Sequence, residues 1–462
     1  MTFALGIALL QGFTFGSSSQ DRDTLQAAPD AVLASPAAGL ADGWTWAEAT
    51  VREGAGGPYW IGWSVGGDTT GATWNYHDRH IPLDGGLRSS TSQMHVTGFS
   101  GTMSFSGVKP NSVVGSTDAH ELVILLRYEP DGTRSTLTRM HVGNAALPLR
   151  FGRGRLFWLG RVSDAASVDR LRVLSASDAV FRRDVVAAVG MHRSAEAAVP
   201  VLAAWLESGD TVTIRRAAAS WLGRQADAVG AEALERALRA DSSPSVRSQA
   251  ARSLARVASP EVAVAALTQA ARNDEDRAVR RSAVQALAEV ADDRGGRALA
   301  DLIDDPTAGT PSSVRSDALS VLGRQARPGP TPRETVDLLM RVSRDDADAT
   351  VRMQAAQSLM QLPDVATVSF LAGLANDHED ARVQQRAIHA LGRAEPQADA
   401  TAALRQIVWD SPLLDSQRSA ARALAAVGSD EARRLLGEIA ERHPNADVRR
   451  SALQAIVVLE TR

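Results

Sequence analysis

The chain has 462 residues, enough for several domains or one extended array, and its hydrophobic fraction of 44% is that of a folded protein. With 50 basic and 54 acidic residues the formal net charge is −4, so there is no global electrostatic pull toward nucleic acid. There is no cysteine, which excludes disulfides, thiolate zinc sites, iron–sulfur clusters, cysteine nucleophiles and thioether-linked chromophores.

Residues 1–20, MTFALGIALLQGFTFGSSSQ, set an apolar run from Phe3 to Leu10 ahead of small and polar residues. This resembles the core of a short signal peptide and falls short of bilayer-spanning length. The expectation is export to the periplasm or the extracellular space, with the cytoplasm as the alternative if the run is not a signal. Residues 21–42, rich in Ala, Asp and Pro, read as a flexible linker. No other segment approaches transmembrane length, and no membrane insertion is expected.

From residue 43 to 160 the texture is β. Gly, Thr, Ser and Trp interleave in GPYWIGWSVGG and SQMHVTGFSGTMSFSG, and two β-rich runs flank Pro130-Asp131-Gly132. Pro presets φ there and Gly accepts positive φ, which makes a turn. A small all-β, antiparallel domain is expected. Its aromatic cluster (Trp44, Trp46, Tyr59, Trp60, Trp63, Trp74 and Tyr76) reads as the domain's core; exposed, the same rings would stack on sugars. In YHDRH, His77, Asp78 and His80 have the chemistry of metal ligands but no companion such as H-E-x-x-H, so no metal site is assigned. No G-x-S-x-G, P-loop or G-x-G-x-x-G stands in a strand-to-helix context, so neither catalytic nor cofactor-binding residues are assigned.

Residues 161–462 change abruptly to Ala, Leu, Arg and Val at helical spacing. VRSQAARSLARVAS at Val246 recurs as VRRSAVQALAEVAD at Val279, VRSDALSVLGRQAR at Val314, VRMQAAQSLMQLPD at Val351 and VRRSALQAIVVLET at Val448. In phase with these, the anchors are Phe181, Ile214, Val246, Val279, Val314, Val351, Val383, Ser416 and Val448, at intervals of 33, 32, 33, 35, 37, 32, 33 and 32. Beyond most anchors, Ala follows at the fourth residue and Leu or Ile at the eighth, as in Val279, Ala283 and Leu287. That spacing is one stripe of a helix. A second amphipathic run separates the phrases, so each unit is helix A, turn, helix B, and buries its apolar face only by stacking. The long intervals predict protruding loops at DDPTAGTPSS (304–313) and RPGPTPRE (327–334).

The pattern D-x-x-x-x-V-R-x-x-A-x-x-x-L, plainest at residues 241–254, in DEDRAVRRSAVQAL (274–287) and in DADATVRMQAAQSL (346–359), resembles the short HEAT-like repeat of phycobilin lyases. The resemblance covers roughly residues 161–462. It implies a mainly α fold: a right-handed α-solenoid of about nine HEAT-like helical pairs, preceded by the small β domain. HEAT-like deoxyhypusine hydroxylases hold two irons through several His-Glu pairs; here only His378-Glu379 lies in the array and His120-Glu121 outside it, so that chemistry is not implied.

The Arg one residue after the anchor (Arg182, Arg215, Arg247, Arg280, Arg315, Arg352, Arg449) reads as structural. Turn acids Asp241, Asp274 and Asp346 are expected to cap helix B and to pair with it. Positions two, six and ten after the anchor form a separate stripe, on which ten of 24 residues are Arg and one, Glu289, is acidic. The resemblance puts the B helices on the concave surface. The expected partner-binding groove is therefore Arg216, Arg224, Arg252, Arg256, Arg281, Gln285, Arg324, Gln357, His389, Arg393, Arg418, Arg422 and Arg450, with compensating acids such as Glu232, Glu235, Glu261 and Glu334 on the A helices. The function expected is a non-enzymatic scaffold or adaptor for another protein of acidic character. A nucleic-acid-binding array, and a metal- or sugar-related activity of the β domain, are the alternatives.

Overall fold

The computed structural model describes residues 31–54, 57–66, 72–74, 81–82, 94–96, 121–131, 134–144, 149–150, 154–177, 180–225, 228–257, 260–290, 293–304, 309–325, 333–362 and 368–460. The expected signal segment, the YHDRH histidines, His120 and most of the two long loops lie outside them. Two compact units form, residues 1–253 and 254–462.

The first unit opens with strand β1 (Ala31–Ala34) and helix α1 (Leu40–Glu53). Strands follow at β2 (Tyr59–Gly66), β3 (Ala72–Trp74), β4 (Ile81–Pro82), β5 (Met94–Val96), β6 (Glu121–Asp131), β7 (Arg134–Asn144), β8 (Leu149–Arg150) and β9 (Arg155–Arg161). The main sheet has the order β1-β9-β2-β6-β7. β2, β6 and β7 pair antiparallel, and β6–β7 is the hairpin expected at Pro130-Asp131. β9 lies parallel to both β1 and β2. The sheet is thus mixed rather than purely antiparallel, because β9 enters from a long connection and not from a tight turn. The domain is also not all β. Leu40, Trp44 and Ala47 form a buried helical stripe within a stretch whose Trp and Thr favour strands, and packing overrides that local preference. β1 and the start of α1 occupy residues read from sequence as flexible linker.

Of the aromatic cluster, Trp44, Tyr59, Trp60 and Trp63 are core, and Trp46 is half-buried against Phe157. Tyr59, Trp60 and Trp63 are buried on β2, and Trp44 meets Trp63 edge-on at 6.1 Å. The Arg170 guanidinium sits 3.5 Å over the Trp44 ring. Trp63 Nε1 donates to Ser167 Oγ at 2.8 Å, and that hydroxyl lies 2.9 Å from His192 Nε2. Sheet and first helical pair therefore share one core; the change of texture after Arg161 is a change of secondary structure inside the first unit.

The helical pairs of this unit are α2 (Asp164–Ser177) with α3 (Arg182–Gly190), α4 (Ala195–Ser208) with α5 (Val212–Gln225), and α6 (Ala228–Ala240) with α7 (Pro244–Leu254), which ends at the unit boundary. The second unit pairs α8 (Pro260–Asn273) with α9 (Arg277–Glu289), α10 (Arg294–Asp304) with α11 (Ser312–Gln325), and α12 (Arg333–Asp345) with α13 (Ala349–Leu359). It continues with α14 (Val368–Asp377) and α15 (Ala381–Leu391), α16 (Gln397–Asp410) and α17 (Leu414–Val427), and α18 (Asp430–Arg442) and α19 (Ala446–Glu460). The fold class is mainly α, a HEAT-like solenoid behind a small sheet. Helix A is the first member of each pair and helix B the second.

All nine anchors fall at the start of a B helix, and the apolar stripe is the core. Val246, Val279, Val351, Val383 and Val448 are fully buried, as are the Ala four residues on and Leu254, Leu287, Leu359, Leu391 and Leu424. Small residues let successive B helices touch. A Cβ on Gly223 would lie 2.6 Å from Ser253 Cβ, and one on Gly323 2.8 Å from Ser358 Cβ. Both glycines stand in Leu-Gly-Arg, nine residues after their anchor.

Candidate functional site

The arginine after each anchor proves to be a joint. Arg215 reaches back to the carbonyl of Gly209 at 3.1 Å, Arg247 to Asp241 at 2.9 Å, Arg280 to Asp274 at 2.8 Å and Arg449 to His443 at 2.7 Å. Arg182 does the same to Ser175 and Arg315 to Thr310. Gln384 and Gln417 substitute at 2.7 and 2.8 Å. All but Arg315 donate to a carbonyl at the end of helix A, where no intrahelical donor is left; the Arg315 acceptor, Thr310, lies in the longer loop before helix B. Four also cross to the next repeat: Arg182 to Asp210, Arg215 to Asp241, Arg315 to Asp346 and Arg352 to Glu379.

The turn acids do half of what was expected. Asp241 and Asp346 pair with an arginine, but they do not cap helix B. Their Oδ1, and that of Asp274, accept the backbone N–H two residues on, bracing the turn. The caps of α9, α13 and α15 are Asp276, Asp348 and Asp380. Backbone N–H donation from Thr350 holds the Asp348 carboxyl below the usual range. Arg382, bonded to Asp380, holds that carboxyl down to about 2. The distinction is a two-residue shift, which the sequence cannot fix where acids occupy both places, as at Asp274 and Asp276 or Asp346 and Asp348.

His378 and His443 stand where other repeats have the turn Asp, and their Nδ1 atoms accept from Asp380 N at 3.0 Å and Asn445 N at 3.2 Å. Burial lowers the pKa of His378, in keeping with a neutral acceptor ring. The His378-Glu379 pair is thus turn architecture. His192 is buried between Ser167 and the carbonyl of Ala188, and burial lowers its pKa too. Ser167 and His192 have the atoms of a nucleophile–base pair but are both sealed from solvent. Trp44, Tyr59, Trp60 and Trp63 are equally sealed, so they offer no face to a sugar. Among the described residues no three His, Asp or Glu side chains are grouped to hold a metal, and no helix is long and apolar enough to cross a membrane.

That leaves the stripe at positions two, six and ten. In the first unit Arg216 and Arg224 are exposed and Arg252 is half-buried. Arg224 lies over the Trp221 ring at 5.0 Å, and Arg252 donates to Gln249 Oε1 at 3.0 Å. In the second unit Arg281, Gln285, Arg324, His389, Arg393, Arg422 and Arg450 are exposed, while Arg256, Gln357 and Arg418 are half-buried. Some stripe arginines are answered from the next repeat: Arg256, just beyond α7, pairs with the stripe residue Glu289 at 3.7 Å, and Arg281 with Asp317, one position off the stripe, at 3.4 Å. Arg418 and Arg450 pair with Asp415 and Asp447 three residues earlier, both at 3.4 Å. Asp317, Asp415 and Asp447 are counter-charges that the stripe by itself does not reveal; the i,i+3 spacing of the last two is their signal. Arg216, Arg324 and Arg393 have no acidic partner among the described residues.

The A helices also pair charge from one repeat to the next, while Arg297, Arg344, Arg434 and Arg442 on them are exposed with no acidic partner among the described residues. Arg236 meets Glu207 at 2.5 Å in the first unit. In the second, Arg294 meets Glu261 at 2.6 Å, Arg341 meets Asp304 at 3.0 Å and Arg405 meets Glu438 at 3.6 Å.

The sequence profile of HEAT repeats matches residues 231–322, 308–392 and 370–457. Among solved structures, the CpcE–CpcF complex of phycocyanin lyase from Nostoc sp. PCC7120 is similar at 22% identity, over 52% of this chain and 92% of that one, with a TM-score of 0.25. Human deoxyhypusine hydroxylase in complex with glycerol is similar at 18% identity, over 57% and 96%, with a TM-score of 0.24. Kap121p bound to Pho4p is similar at 13% identity, over 64% and 37%, with a TM-score of 0.42. No curated protein matches the sequence.

Proposed function

With residues 231–457 built of HEAT repeats, we propose that the chain is a non-enzymatic protein-interaction scaffold whose helix B stripe receives an acidic partner protein. The observation that carries this reading is a set of unanswered arginines on that stripe: Arg216 in the first unit, and Arg324 and Arg393 in the second, stand exposed with no acid opposite them among the described residues. An exposed, unopposed guanidinium keeps its full fork of donors for a carboxylate on another molecule. The field such residues create steers acidic partners and fades with salt.

The test is charge reversal in the full chain, Arg216→Glu with Arg324→Glu and Arg393→Glu, followed by crosslinking in native extract treated with nuclease. Partners crosslinked to the unaltered chain should be acidic proteins and should be lost from the variant, with the thermal midpoint unchanged. Crosslinks that survive the reversal, or that vanish with nuclease alone, refute the reading, the latter in favour of nucleic acid. We also place the protein outside the cytoplasm, on the strength of the Phe3–Leu10 run. N-terminal sequencing of cell-made protein that begins at the first residues overturns that location.

A further inference from the structure

We infer that the stripe over α11, α13, α15 and α17 is a track for one extended peptide segment of the partner, acidic at its two ends and uncharged between them. The inference rests on the scaffold reading and adds the form of the ligand. These four B helices adjoin one another in order. Neither α13 nor α15 contains an acidic residue. The two acids on α11 and α17, Asp317 and Asp415, are held by Arg281 and Arg418.

Along the stripe the chemistry changes in the middle. Arg324 stands at one end, with Arg393 and Arg422 toward the other, all exposed. Between them lie Gln357, Gln361 and Gln385, the second exposed and the others half-buried, with no side-chain hydrogen bond to any described residue. A primary amide carries both an acceptor and donors, so one glutamine matches the C=O and the N–H of a peptide unit together. A folded surface cannot use that match, because its backbone groups are already paired internally. An extended segment can. A phosphodiester backbone fits poorly, since it presents an anion at every step and would leave the glutamines unused.

Geometry fixes the spacing. Neighbouring packed helices lie about 8–10 Å apart, so the three steps from α11 to α17 cover about 27 Å. An extended chain advances about 3.4 Å per residue, which puts the two acidic ends about eight residues apart.

The test uses the full chain and a fluorescein-labelled synthetic peptide of about ten residues, with glutamates at both ends and Gly, Ser and Ala between. Two further probes are the same composition with the glutamates moved to the centre and a labelled oligothymidylate of similar charge. Anisotropy titrations should rank the end-charged peptide tightest. Gln357→Ala with Gln385→Ala should weaken it by about three- to tenfold per residue at an unchanged salt slope. Arg324→Glu with Arg393→Glu should abolish binding. If the glutamine variant binds as the unaltered chain does, or the centre-charged peptide or the oligothymidylate binds equally well, the track is wrong. Loss on arginine reversal alone leaves the charge-driven scaffold standing without the track; binding indifferent to both variants ends both readings. Circular dichroism melts that match the unaltered chain confirm that each variant is folded.

Discussion

Asp346 is the most telling single position in the array. Its Oδ1 accepts from Arg315 Nη2 at 2.9 Å and from the Asp348 N–H at 2.8 Å, and its carbonyl accepts from Arg352. The Arg315 and Asp346 side chains are only 10% and 8% exposed. Asp346→Ala therefore strands a buried guanidinium and unmakes the turn at once. Breaking a buried pair from one side costs about 3–5 kcal/mol. In a unit of about 200 residues each kcal/mol moves the thermal midpoint by about 2–4 °C, so a fall of about 6–20 °C is expected. Asp346→Asn keeps an acceptor for the turn and loses only the charge, at about 1–3 kcal/mol. The control is Arg341→Ala, which removes an equally short ion pair to Asp304 but one whose side chains are 53% and 49% exposed; it should cost under about 1 kcal/mol. Thermal scans rank the three variants, and hydrogen exchange should show the loss in α11 to α13, because repeats depend on their nearest neighbours. Equal losses for Asp346→Ala and Arg341→Ala would refute the argument that burial, not pairing, sets the value of these bridges.

Leu287→Ala should cost about 2–5 kcal/mol in denaturant unfolding and Arg324→Ala under about 0.5 kcal/mol; similar values would show the two faces of helix B to be wrongly assigned. Gly323→Ala should destabilise by about 1–3 kcal/mol, because its Cβ meets Ser358, whereas Gly437→Ala in the open face of α18 should stabilise by about 0.5–1 kcal/mol; a shared sign contradicts the close approach of α11 and α13. Burial lowers the His192 pKa, so below about pH 6.5 the unfolded chain binds a proton that the folded one resists. The first unit is then stable above that pH and loses stability as pH falls through it, which urea midpoints followed by tryptophan fluorescence between pH 8 and 5 should record. His192→Gln should flatten that dependence, and a slope unchanged by the substitution rejects the assignment.

Much of this protein is written locally. Phase, helix identity and core face of the repeats follow from the spacing of residues such as Val279, Ala283 and Leu287, because a helix buries one stripe and the same stripe returns every repeat. The exposure of Arg216, Arg324 and Arg393 follows from the same periodicity. What was not legible is whatever depends on contacts distant in sequence. β9 lies parallel to β1, more than a hundred residues earlier, and α1 is a helix because Trp44 and Ala47 find a sheet to cover. The two-residue difference between an acid that caps helix B and one that braces the turn is likewise invisible in a run such as Asp274-Glu275-Asp276. Arg418 and Arg450 find their acids on their own helices, but whether Arg281 or Arg324 is answered is decided by the neighbouring one: Asp317 faces Arg281, while nothing acidic on α13 or α15 faces Arg324. Periodicity selects a face, but only packing selects the partners across it, because a helix fixes the direction of its own side chains and not the register of the next helix.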